Sequence, residues 1–387
     1  MVLAQSRLRR AALLAIVVAA AAVFLALRPD RHPSPRAVYA YTTADSVVVM
    51  DGDRTVHREK RPYSSSNEPA RWTANGDRLF YLALPRDTLD ENDDTQDALA
   101  AQQLVVIDAL KGTVRRLPCP QCTSAGPAGG NRVLAYQADR TAESRLLAFD
   151  LASADPPIQF PLTSTQPPGN IRLLAGLPDN VLLAANDPAI TGAYGGPESL
   201  LLLDGEGTLR PAGSTGSDTF MSVVAAGRPS SSKDKHVALV ATAHASACET
   251  TNTVSLLDSR TGRTQPVSMS SIRSASTSTE PRGLEVRDLW WDQDGHLYAT
   301  ITAWRCDYDV TEQVVTTVPP SLWRLDGTHW TKVMDDPVAK VRRLQDGAEL
   351  RLAAAPVNSV PSGSELRAHA HGTSKVVARG VFDLSLP

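Results

Sequence analysis

Arg71-Trp72-Thr73-Ala74-Asn75-Gly76-Asp77-Arg78-Leu79-Phe80-Tyr81-Leu82 is followed, after a long polar interval, by Leu104-Val105-Val106-Ile107-Asp108-Ala109-Leu110-Lys111-Gly112. Asn-Gly between apolar runs marks a tight hairpin, because both residues tolerate the positive φ such a turn demands. The stretch therefore reads as strand, Asn75-Gly76 turn, apolar strand, long loop, apolar strand, and an Asp108-to-Gly112 turn into a fourth strand.

Outward from this stretch the pattern repeats. An apolar run ending in Asp and then a turn recurs at Asp51-Gly52, Asp150, Asp204-Gly205, Asp258 with Gly262, and Asp326-Gly327, with a weaker copy at His371-Gly372. A second turn precedes several of these, at Asp179-Asn180, Asp294-Gly295 and Asp346-Gly347. No segment after residue 37 keeps a helical apolar period over several turns, so the body is all-β. Two turns and four strands in a period of roughly 40 to 55 residues is the size of one β-propeller blade. The sequence predicts a seven-bladed β-propeller over residues 37–387, six or eight blades being the alternatives. Ala37–Arg58 supplies only three strands of its blade, and Gly380-Val381-Phe382-Asp383-Leu384-Ser385-Leu386 is expected to add the missing innermost strand and close the ring.

Trp72-Thr73-Ala74-Asn75-Gly76 and Trp291-Asp292-Gln293-Asp294-Gly295 resemble the Trp-Ser-Pro-Asp-Gly repeat of TolB-like and WD40-like bacterial β-propellers. The resemblance implies the architecture and leaves activity open, since one fold serves many roles.

Ahead of the body, residues 1–10 are basic, 11–27 form an apolar uncharged run, and 28–36 carry three Arg and three Pro. These read as a short N-terminal segment, a signal anchor or signal peptide helix, and a stiff tether. The expected location is a single-pass cell-membrane protein with its propeller outside the cytoplasm, or a secreted one if the signal is cleaved. The net charge of −3 argues against nucleic acid as a partner.

The four cysteines fit an exported chain with two disulfides. Cys119 and Cys122 read as a local disulfide, unpaired thiols and metal or redox chemistry being the alternatives. Cys248 and Cys306 fall in matching loops of neighbouring blades and are expected to bond to each other. The connections between second and third strands, and between blades, hold nearly all the loop length: Pro85–Ala101, Asn186–Glu198, His244–Asn252, Met269–Arg282 and Trp304–Pro320. Long loops on a rigid scaffold are where binding sits. Trp304, Arg305, Asp307 and Tyr308 supply the aromatic and Arg chemistry that anchors interfaces, against the plainer reading of a disulfide-pinned loop packed on its own blade. Trp290-Trp291 reads as core. Asp90–Asp97 alternates acidic oxygens like a calcium loop but lacks the sixth-position Gly and the terminal Glu, so a solvated acidic loop is the expectation. His369 and His371 share a strand face without a third metal ligand at useful spacing. No cofactor is expected, and no nucleophile elbow, Walker loop or zincin motif occurs. The functional expectation is a binding or scaffold module for an envelope protein, a peptide or a glycan at the long-loop face. The alternative is a hydrolase or lyase with its active site at the channel mouth.

Overall fold

The computed structural model describes residues 37–60, 69–84, 99–138, 144–160, 170–177, 179–186, 197–215, 219–226, 236–244, 250–274, 283–292, 295–307, 313–354 and 363–387. The anchor and tether segments, the acidic Asp90–Asp97 stretch, Cys248 and Tyr308 lie outside these. Among the described residues no helix is long and apolar enough to cross a membrane.

The chain runs through β1 (Val38–Thr43), β2 (Ser46–Asp51) and β3 (Arg54–Lys60), and then builds four-stranded antiparallel sheets one after another. They are β4 (Arg71–Trp72), β5 (Arg78–Ala83), β6 (Gln103–Asp108), β7 (Val114–Pro118); β8 (Cys122–Pro127), β9 (Arg132–Gln137), β10 (Arg145–Asp150), β11 (Ile158–Phe160); and β12 (Asn170–Gly176), β13 (Asn180–Asn186), β14 (Glu198–Asp204), β15 (Leu209–Ser214). Next come β16 (Thr219–Ala226), β17 (His236–His244), β18 (Thr250–Asp258), β19 (Thr264–Val267), a one-turn helix α1 (Ser270–Ser274), and β20 (Gly283–Trp291), β21 (Leu297–Asp307), β22 (Gln313–Asp326), β23 (His329–Met334). The last strands are β24 (Val338–Arg343), β25 (Glu349–Ala353), β26 (Ser364–Ala370) and the long β27 (Thr373–Ser385).

β27 serves two partners. Its first half pairs with β26, and its second half pairs with β1 in the register Ala40↔Ser385, Tyr41↔Leu384 and Thr42↔Asp383. The result is one seven-stranded sheet, β24-β25-β26-β27-β1-β2-β3, beside five four-stranded ones. Divided at β27, it yields two further four-stranded units. Trp72 Nε1 donates to Ser385 Oγ at 3.1 Å and locks this closing strand to the next sheet.

The middle strands of each sheet are buried on both faces, which explains why they read as continuous apolar runs rather than alternating ones. In β13, Val181, Leu183 and Ala185 pack toward the preceding sheet, while Leu182 and Ala184 pack toward the following one. Every neighbouring pair of sheets shares such a cluster, and the last joins Leu350, Leu352 and Leu366 to Tyr39 and Val48. The sheets thus form a ring. Inner strands converge at its centre, where Arg71 Nη1 on β4 reaches past β8 to the carbonyls of Leu173 (2.6 Å) and Leu174 (3.3 Å) on β12.

Several inner strands carry a β-bulge, and polar side chains from the preceding sheet satisfy the backbone there. Ser124 Oγ accepts from Leu173 N–H at 3.0 Å, Glu198 Oε2 from Met221 N–H at 2.6 Å, and Asn252 Oδ1 from Val286 N–H at 2.5 Å. A bulge frees a ladder N–H that must otherwise stay unpaired in the interior, so these buried polar residues are what the irregular strand requires.

Two expected loops, His244–Asn252 and Trp304–Pro320, are strand over their described residues. β17 runs out to His244 and β18 begins at Thr250, while β21 and β22 extend into the Trp304–Pro320 region. Ser270–Ser274, within the expected loop Met269–Arg282, forms α1 with Ile272 fully buried.

Candidate binding site

The sheet β12–β15 and the sheet β16–β19 pack differently at their two ends. Toward the short-turn end the gap is filled by Leu182, Leu202, Val237, Leu239 and Leu257. Toward the other end the facing positions shrink: Ala241 and Ala243 on β17, Thr251, Thr253 and Ser255 on β18, and Ser214 on β15, with Thr264 at the turn end of β19 also lining the gap. Packed sheets sit about 10 Å apart, a distance that Leu or Phe pairs span and Ala or Thr pairs do not. The consequence is a cleft of about 350 Å³, walled by these residues together with Leu200, Thr215, Thr219 and Met221. Ser214, Thr215, Thr219, Ala243 and Thr251 lie at the strand ends that meet the longer connections, so the cleft opens on the long-loop face.

The inner end of the cleft is held rigidly. Arg172 Nη2 donates to both oxygens of Glu198, at 2.7 and 2.9 Å, and to the Met221 carbonyl at 2.9 Å. Thr215 Oγ1 accepts from Glu198 N–H at 2.7 Å and donates to the Thr219 carbonyl at 2.8 Å. The lining carries no charge and no aromatic ring. Its Thr and Ser residues offer hydroxyls beside methyls, which suits a neutral ligand with both polar and small apolar groups.

None of the individual residues singled out from the sequence is among those that line this cleft. Trp304 is buried in β21, its indole filling the space where a side chain on Gly283 of the paired strand would sit; a Cβ there would lie 2.0 Å from the ring. It packs on its own sheet rather than offering an exposed anchor. Arg305 is exposed in the same strand. Cys306 and Asp307 close β21, but their side chains lie outside the described residues, as do Cys248 and Tyr308, so the Cys248–Cys306 pairing does too. Cys119 and Cys122 form a buried disulfide with Cα atoms 5.6 Å apart, between β7 and β8. Trp290 is half-buried, stacked on Tyr298 with centroids 5.7 Å apart and covered by the Arg342 guanidinium at 4.6 Å. His369 sits in β26, where burial and then Arg351 push its pKa below the usual imidazole value. Among the described residues no cluster of three His, Cys, Asp or Glu could hold a metal.

The inner strands carry a second polar group. Asp288 on β20 binds Arg342 on β24 through two contacts, 2.5 and 2.9 Å, and Lys340 on β24 bridges to Asp383 on β27 at 2.6 Å. Burial alone would raise the Asp288 pKa, but the Arg342 and Lys340 cations outweigh it and hold the carboxyl below its usual range. The cluster joins three successive inner strands as closed ion pairs.

Solved structures with the same arrangement include the Pyrococcus horikoshii acylaminoacyl peptidase, at 10% identity and a TM-score of 0.51 over 88% of this chain and 52% of that one. The β-propeller domain of the Trilobed protease from Pyrococcus furiosus matches at 10% identity and a TM-score of 0.45, over 81% of this chain and 84% of that one. This chain is a β-propeller. TolB from Acinetobacter baumannii is also similar, at 11% identity and a TM-score of 0.41 over 88% of this chain and 62% of that one. The propeller therefore spans 52% of the peptidase chain and 62% of the TolB chain. No protein-family model matches the sequence, and no curated protein does. Sequence reasoning missed the cleft residues. A signal was present only at Ser255, where the neighbouring blades carry Leu201 and Trp323; at the Thr253 position they carry Ser199 and Ser321, so nothing there stood out.

Proposed function

We propose that this β-propeller works outside the cytoplasm, delivered or held there by residues 11–27, as a binding module that takes an envelope protein or peptide at its long-loop face. The observation that carries the reading is the uncharged cleft of about 350 Å³ between the sheets β12–β15 and β16–β19, within the size range of ligand sites and opening on that face. Its rigid inner end suits recognition with little reorganisation, because Glu198, Arg172 and Thr215 are already fixed by one another.

A photocrosslinking residue placed at Thr253 in the full chain, and separately at Lys111 on the short-turn face, tests this in cells. Adducts to one envelope protein from position 253 and none from 111 are the expected outcome. Equal labelling from both positions, or none from 253, removes the reading.

A further inference from the structure

We infer that the propeller ring parts reversibly at one junction, between the sheet β20–β23 and the unit β24–β27, with Arg342 and Asp288 as its latch. This junction differs from the others in what faces across it. Between β12–β15 and β16–β19, the facing positions near the short-turn end are Leu182, Leu202, Val237, Leu239 and Leu257, none more than 1% exposed. The strand registers identify the counterparts. Tyr298 and Arg324 stand where Leu182 and Leu202 do, and Glu349, Arg351 and His369 stand where Val237, Leu239 and Leu257 do. Among the described residues, the apolar cluster at this junction has only Leu322, Val338 and Val341 buried, with Trp290, Tyr298 and Met334 partly buried against them.

The charged residues here are satisfied without crossing the gap. Arg324 binds Asp326 at 2.8 Å, Arg351 binds Glu349 at 2.5 Å, and Arg367 binds Glu365 at 2.5 Å, each two residues along its own strand. Arg351 also reaches Asp336 at 3.2 Å, in the connection from β23 to β24. Among the described residues, none of these pairs joins β22 to β25 or β26. The Arg324 and Asp326 side chains remain 37% and 38% exposed, where the equivalent leucine is dry. The cost of drying such pairs cancels their attraction, so nothing drives this part of the junction to close as its neighbours do.

What holds the junction lies at its inner end. Asp288 on β20 accepts from both terminal nitrogens of Arg342 on β24, at 2.5 and 2.9 Å, and the same guanidinium covers Trp290 at 4.6 Å. Thr300 Oγ1 on β21 donates to the Ala339 carbonyl at 2.7 Å. A few directional contacts at one end and charged, water-facing walls at the other make a hinge. β27 carries this unit into pairing with β1, so the seven-stranded sheet moves as one body. Its far side stays fixed where Ala40, Val47 and Val49 pack on Leu79, Tyr81 and Ile107. Parting uncovers Asp288 and Lys340 between β20 and β24 and gives the centre of the ring a side opening.

Double electron–electron resonance on the full chain tests this, with spin labels carried on non-canonical residues so that the cysteines stay untouched. Labels at the exposed Val333 on β23 and Lys375 on β27 span this junction. Labels at Gln265 on β19 and at Val333 span the preceding one, which Val240, Val254, Ala299, Ile301 and Trp323 fill. The 333–375 distances are expected to spread about twice as widely as the 265–333 distances. Arg342→Ala should raise the longer-distance population of the 333–375 pair about tenfold, the factor that one charged hydrogen bond is worth. Thr300→Val should raise it less, and neither variant should move the 265–333 pair. The inference fails if the 333–375 pair is as narrow as the 265–333 pair in wild type and both variants. It also fails if Arg342→Ala widens both pairs alike, which is general loosening. Should Arg342→Ala not fold, an unchanged 333–375 pair in Thr300→Val overturns the hinge.

Discussion

At the scale of single residues, one acid does two kinds of work depending on burial. The Asp residues that end third strands are turn builders. Asp108 Oδ1 accepts from the amides of Leu110 and Lys111 at 3.0 and 2.9 Å, and Asp258 Oδ1 from Arg260 and Thr261 at 2.8 and 3.3 Å. The short Asx loop supplies acceptors to amides that the turn leaves unpaired, which is why the motif recurs at fixed places and can be read from the sequence alone. Asp288 has no such sequence signature, because its meaning comes from Arg342, more than fifty residues away. Arg342→Ala leaves Lys340, at 3.8 Å, as the cation beside Asp288. The loss of stability should be about 3 kcal/mol, measured by urea denaturation, since a buried charge stripped of its main partner is costly. The sign of the pH dependence follows from the depressed carboxyl. Its stabilisation is present above the unfolded pKa, near 4, and is lost as pH falls through the lower folded value. The urea-midpoint gap between wild type and Asp288→Asn should therefore be widest above about pH 5 and shrink progressively in acid.

At the scale of strands, the bulges and their polar partners show what pattern-reading captures and what it loses. The apolar runs, the Asp-Gly turns and the four-strand period were legible because each is local: hydrophobic burial fixes the runs, and positive φ fixes the glycines. Gly76, Gly112 and Gly262 all adopt φ between 66° and 74° at turns read from the sequence. The strand extensions were not legible, because Thr-rich stretches such as Thr250–Thr253 look like loop until they are seen paired. Pro319 and Pro320 lie in the expected loop Trp304–Pro320 and are residues that strand interiors exclude. β22 passes through them because its register shifts there: Val318 opposes Ala303 and Ser321 opposes Ile301, so the prolines sit at an irregularity where no ladder donor is needed. The polar staples were invisible for the same reason as the Asp288 cluster. Asn252 is 2% exposed and donates to Thr242 Oγ1 while accepting from Val286 N–H. Asn252→Ala should cost about 1–3 kcal/mol in a denaturant series, because it strands the Val286 N–H in the interior. Thr253→Ala, one residue away on the open cleft, should stay within about 0.5 kcal/mol of wild type.

At the scale of the whole molecule, the ring is closed by β27 rather than by a covalent link. Val381 and Leu384 are each 1% exposed and pack with Tyr39, Val48 and Leu366. Removing residues 381–387 strips the inner strand from β1 and exposes an apolar edge, at a cost of about 1.5–3 kcal/mol for each large side chain lost. The truncated chain should elute as aggregate in size-exclusion chromatography and lose its cooperative thermal transition. Retention of a sharp transition would show that the remaining sheets hold the ring without this seam. Those same sheets bound the cleft, which lies far along the chain from both β1 and β27.

The pairing of Ala40 with Ser385 also sets an order of events during synthesis. Each four-stranded unit can form as soon as its own hairpins leave the ribosome, but β1 to β3 must wait for nearly the entire chain before their inner neighbour exists. Through that interval the first-made strands present an unpaired apolar edge, while the cleft-bearing units are already complete. The cleft is thus built before the ring that carries it is sealed.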